Sequence, residues 1–141
     1  MPERKYSKEG LAIFTKKGKL KWGFNSHSQF AIWACYHIVK TDENKVLFFG
    51  YGNFPVCELN IDFLTVEEIV IPIDYFVDSV SCQDKKIYWK NSNSIFCFDR
   101  EKNDLKLVRE FAKKDRRMLL RDYLVAIDKD GYTLEKVGEL I

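Results

Sequence analysis

Short apolar runs broken by turn signals recur along this chain, and they recur in a repeating order. The runs fall at 11–15, 20–24, 30–39, 46–49, 56–59, 66–71, 77–82, 87–89, 95–98, 105–108, 123–127 and 132–137. Alternation over a few residues, bounded by polar turns such as KKGK (16–19) and DKDG (128–131), predicts strands joined by hairpins. The hairpins also resemble one another. SIFCFDREKNDLKLV (94–108) aligns without a gap on YLVAIDKDGYTLEKV (123–137), matching Asp99 with Asp128, Leu105 with Leu134 and Val108 with Val137. PVCELNIDFLTVEEIV (55–70) follows the same plan with Asn60 in the Asp position, and LAIFTKKGKLKW (11–22) with Thr15 and a shorter turn. Upstream, HIVKTDENKVLFF (37–49) matches SVSCQDKKIYW (79–89), and Asn60 lies 39 residues before Asp99.

A period near 40 with about four short strands per unit is the pattern of a β-propeller blade. The segment 78–108 resembles a blade of the broad propeller repeat superfamily, although no WD dipeptide or double-glycine kelch signature accompanies it. The 141 residues hold three to four such units, at or below what a closed ring requires. The expected architecture is therefore all-β and a single domain, 1–141. It is an antiparallel meander of blade-like sheets, something like half a propeller, with an uncovered flank awaiting a partner or a second copy. Residues 109–123 (REFAKKDRRMLLRDY) fit both a short helix and a strand. At Thr65, T-x-x-E imitates a helix cap, but the β-branched run Ile69, Val70, Ile71 argues for strand.

Charge is unevenly spread. Between Val46 and Asp84 lie seven acids (Glu58, Asp62, Glu67, Glu68, Asp74, Asp78, Asp84) and no Lys or Arg. The remaining chain carries 23 basic residues against 14 acids, so a net charge of +2 divides into −7 and +9. A surface of one sign steers a partner of the other, and an acidic one disfavours nucleic acid. Aromatics lie among these acids, and Tyr51 and Phe54 flank a glycine-containing turn as candidate anchors. The four cysteines are spaced by 22, 25 and 15 residues, without a C-x-x-C. They read as buried thiols in a reducing compartment, with disulfides as the alternative. The polar start MPERKYSKEG has no signal-peptide core and no apolar run approaches a membrane span, so the expected location is the cytoplasm.

Catalytic patterns are absent. His27 lies in a polar turn and His37 in a strand-like run; as a pair they would serve a two-histidine nuclease, but no lysine motif joins them. GYGN (50–53) lacks phosphate-loop spacing, and no G-x-S-x-G, H-E-x-x-H or calcium-loop pattern occurs. Neither a cofactor nor a metal is expected. The basic runs KKGK and KKDRR (113–117) read as solvated faces.

By elimination the chain reads as a non-enzymatic binding protein. In size, charge and expected architecture it resembles bacterial immunity proteins that neutralise contact-dependent growth inhibition toxins. That resemblance implies a cognate nuclease toxin as the basic partner, its active site covered by an acidic surface. The partner-binding residues would be Tyr51, Phe54, Glu58, Asp62, Glu67, Glu68, Asp74, Asp78 and Asp84. The alternatives are a propeller scaffold that homodimerises to close a ring, and a small enzyme built on the two histidines.

Overall fold

A computed structural model describes residues 9–27, 35–50, 56–69, 71, 77–112 and 116–140. Thirteen strands form among them: β1 (Ala12–Phe14), β2 (Leu20–Gly23), β3 (Cys35–Asp42), β4 (Lys45–Gly50), β5 (Val56–Asn60), β6 (Thr65–Ile69), β7 (Ser79–Gln83), β8 (Lys86–Asn91), β9 (Ser94–Asp99), β10 (Asp104–Glu110), β11 (Arg117–Leu120), β12 (Tyr123–Asp128) and β13 (Gly131–Lys136). A one-turn helix, α1 (Phe24–His27), follows β2, and a 3-10 turn (Val137–Glu139) follows β13. All pairings are antiparallel and join sequence neighbours, giving sheets β1-β2, β3-β4-β5-β6, β7-β8-β9-β10 and β11-β12-β13. The leading strands β3, β7 and β11 pack side by side. Four blade-like sheets are thus stacked along one row, as the repeat predicts.

The period-two alternation decides which sheet each side chain meets. Along β4, Phe48 faces the first sheet while Leu47 and Phe49 face the third. Along β8, Ile87 and Trp89 face the second sheet and Tyr88 the fourth. The result is three separate apolar layers. Trp22 and Phe24 meet Phe48, Cys57 and Leu59; Leu47, Phe49 and Ile69 meet Ile87, Trp89 and Phe98; Tyr88, Ile95 and Cys97 meet Leu119, Leu124, Val137 and Leu140. A strand buried on both faces must be apolar on both, which explains the dense runs VLFF, IYW and IFCF.

The matched hairpin positions share one local job. Asn60 Oδ1 accepts the N–H groups of Asp62 and Phe63, and Asp99 Oδ1 those of Glu101 and Lys102. Asp128 Oδ1 accepts the Asp130 N–H, and Thr15 Oγ1 the Lys19 N–H. These side chains replace the ladder bonds that each turn interrupts. Their place in the sheets differs, however. Asp99 joins the third and fourth strands of its sheet, whereas Asp128 joins the second and third of the last one. The 29-residue spacing between them is short because the matching hairpin comes one strand early.

Residues 109–123 form no helix among those described. Strand β10 runs through Glu110, β11 covers 117–120 and β12 opens at Tyr123, while 113–115 lie outside the described residues. Leu119 alone of Met118, Leu119 and Leu120 is buried, an alternation that only a strand at this place provides. Thr65 opens a strand, not a helix.

Candidate interaction surface

The described residues of the predicted acidic set are spread over several elements. Tyr51, Phe54 and Asp74 lie outside the described residues. Glu58 is 5% exposed and points into the seam between the second and third sheets. There it accepts both guanidinium nitrogens of Arg100 (2.8 and 3.2 Å) and the Thr41 hydroxyl (2.9 Å), with Lys45 Nζ at 4.0 Å. Burial would raise its pKa, but these hydrogen bonds and the two cations hold it below the usual range. This departs from an outward-pointing docking acid, because a lone buried carboxylate needs an internal cation. Asp78, at the start of β7, accepts the Ser92 N–H (2.6 Å) and lies 3.5 Å from Lys90 Nζ. Asp84 sits in the turn past the other end of β7, with φ of 52°. Asp62 occupies the β5–β6 turn beside Asn44. Glu67 pairs across from Glu58 and Glu68 from Cys57, so the two point to opposite faces of β6. Of the predicted set, only Asp62, Glu67 and Glu68 remain as exposed neighbours on one hairpin.

Other candidate chemistry is committed to structure. His27 Nδ1–H donates to the Gly23 carbonyl (2.8 Å) and its ring stacks on Trp22. His37 stands on β3 in register with Phe49, on the side facing the third sheet. The four cysteines form no disulfide, and burial pushes Cys57 up to about 12 and Cys82 up to about 11, which leaves these two protonated at neutral pH. Among the described residues no group of three or more His, Cys, Asp or Glu could hold a metal ion, and no helix is long and apolar enough to cross a membrane.

The surface that stands out is the outer face of the last sheet. Register places Leu120 beside Tyr123, Met118 beside Val125 and Leu134, and Ile127 beside Tyr132. These side chains form three transverse rows across β11, β12 and β13, on the side away from Leu119 and Leu124. Six of the ten exposed large apolar side chains among the described residues belong to this one face, with Tyr132 72% exposed. Scattered exposed apolar residues are ordinary, but this concentration is not. The opposite end of the row is different. There Gly23 leaves space for Glu9, a buried carboxylate that accepts the Ser26 N–H (2.9 Å) and hydroxyl. Those bonds from Ser26 hold the Glu9 carboxyl below its usual range. The first sheet is therefore closed by a polar cap, and the fourth is bare.

A signal for this face lies in the sequence. YLVAI (123–127) is apolar at every position, as in a strand sandwiched between two layers. Leu124 has found its layer in the core; Tyr123 and Ile127 face outward and are exposed, and Val125, on their side between Met118 and Leu134, is buried.

No family model and no curated protein matches the sequence. Solved structures do match. The extracellular domain described as that of a hybrid two component system from B. thetaiotaomicron superposes with a TM-score of 0.62 at 14% identity, over 93% of this chain and 18% of that one. The N-terminal domain of Nup159 gives 0.55 at 12% identity, over 86% and 31%. Virginiamycin B lyase from Staphylococcus aureus gives 0.57 at 14% identity, over 94% and 50%. The chain thus spans between about a fifth and a half of these longer chains, and shares with them an all-β fold of propeller-blade type.

Proposed function

We propose that this chain is a non-enzymatic binding module that works by burying the outer face of β11–β13 against a protein partner. The observation that carries this reading is the three-row apolar face. A sheet face of this composition is stable in water only when something covers it for part of its life. Site-specific photocross-linking tests it in cells that express the chain. A cross-linker at Leu134 is expected to yield a discrete protein adduct, and one at Glu101, in a polar turn of the third sheet, none. The reading fails if Leu134 gives no adduct, or if Glu101 gives the same one.

A second reading retains the resemblance to toxin-neutralising immunity proteins. Its support is the β5–β6 hairpin, which displays Asp62, Glu67 and Glu68 to solvent. Salt separates the two. Contact through the apolar face persists in 0.5 M salt, whereas a basic partner held by three exposed acids is released as screening shortens the reach of charge.

A further inference from the structure

We infer that a second copy of this chain covers the apolar face, and that two copies close one ring; this rests on the binding-module reading above. The two ends of the row are unequal in a complementary way. At one end, the first sheet has two strands among the described residues. Through Trp22 and Phe24 it covers Phe48, Cys57 and Leu59 on β4 and β5. Of the leading strand β3, Cys35 packs against this cluster, and the strand beyond it is less covered. Ile38, paired with Phe48 and so on the same side of the sheet, is 55% exposed. At the other end, the fourth sheet has three strands, its leading strand included, and a bare outer face.

The three strands of one copy fit beside the two strands of the other, with the β11–β13 face laid over β3 and Ile38. They do not stack upon the first sheet, whose outer side is occupied by Glu9 and Ser26. Repeating the junction at the other break gives a twofold pair with no open end. From the fractional exposures, the six apolar side chains present on the order of 600 Å² to water. That is the upper limit for a patch on a monomer. Two reciprocal junctions would remove roughly 2,400 Å² in total, within the range of permanent homodimers. Two charged side chains align with the rows, Lys136 at one corner beside Tyr123 and Arg116 at another across from Ile127, and each can keep its charge at the rim.

Sedimentation equilibrium of the purified chain tests this. The expected species has twice the 16.7 kDa chain mass at micromolar concentration. Ile127→Lys with Leu134→Lys removes the junction from one side, and Ile38→Lys removes it from the other. Each variant is expected to weaken self-association at least 100-fold while the far-ultraviolet circular dichroism stays that of the wild type; all three positions are exposed, so folding is preserved. Mixing the two variants restores one intact junction, and native mass spectrometry should show the mixed pair in excess over either homodimer. A wild-type chain that stays monomeric to 100 μM overturns the inference. So does a dimer that survives Ile38→Lys, because that is face-to-face pairing and not ring closure. A monomer whose Leu134 cross-linker still captures a different protein removes the second copy and leaves the binding module standing.

Discussion

Glu58 shows how one residue's surroundings overrule its type. In the sequence it is one of seven clustered acids; in the fold it is an internal fastener between two sheets. Replacing Arg100 by Met leaves a buried carboxylate without its guanidinium, and is expected to cost about 3 kcal/mol at pH 7 in urea unfolding. The pH dependence carries a distinct sign. In the wild type the Glu58 pKa is lowered, so the pair's contribution is present above the unfolded value of about 4.3 and is lost as pH falls through the folded value. In the variant, burial is no longer opposed by the Arg100 guanidinium, and protonation relieves the stranded charge. The destabilisation should therefore be largest at neutral pH and shrink as pH approaches 4. A cost independent of pH would show that Arg100 acts by packing alone. The double variant Glu58→Met with Arg100→Met should recover most of the loss.

At the scale of the element, the hairpin is the unit that the sequence describes best. Each tight turn needs a short side chain that can accept backbone N–H bonds, so Asn60, Asp99, Asp128 and Thr15 were visible as a repeating position. Asn60→Ala should cost about 1 kcal/mol in chemical denaturation through two lost hydrogen bonds. Asn60→Asp, which supplies the same oxygen as at 99 and 128, should restore nearly all of it; equal losses in both variants would mean the amide is held for another reason. Strand existence was legible for the same local reasons. Strand β11 was not, because its two-residue turn to β12, Arg121–Asp122, carries neither the glycine nor the asparagine that marks such a hairpin. It pairs with β12 and is further tied to β7: the Leu119 N–H donates to the Ser79 hydroxyl (2.9 Å), and the Ser81 hydroxyl donates to the Arg121 carbonyl. Those ties join residues 40 apart, beyond the reach of periodicity. The placement of the acids was illegible for a related reason. Alternation tells that Glu67 and Glu68 part company, but only the stacking order tells that Glu58 turns inward.

For the whole molecule, what decides behaviour is that the sheets form a row and each touches only its neighbours. One bidentate pair spans each of two seams, Glu58 with Arg100 and Arg109 with Glu135. The Arg109 partner holds Glu135 below the usual carboxylate range, so that seam too is sound at neutral pH and loosens in acid. The apolar face at the end of the row belongs to this scale as well. The all-apolar run 123–127 marks a two-faced strand, and the bare face follows from that strand standing in the last sheet. A row held by nearest neighbours does not open all at once. Backbone amides of β8 and β9, flanked on both sides, should exchange with deuterium most slowly, and those of β1, β2 and β13 fastest, the lag growing inward from each end. If self-association seals the break, the fast rim at β13 should slow with rising protein concentration while the middle keeps its rate.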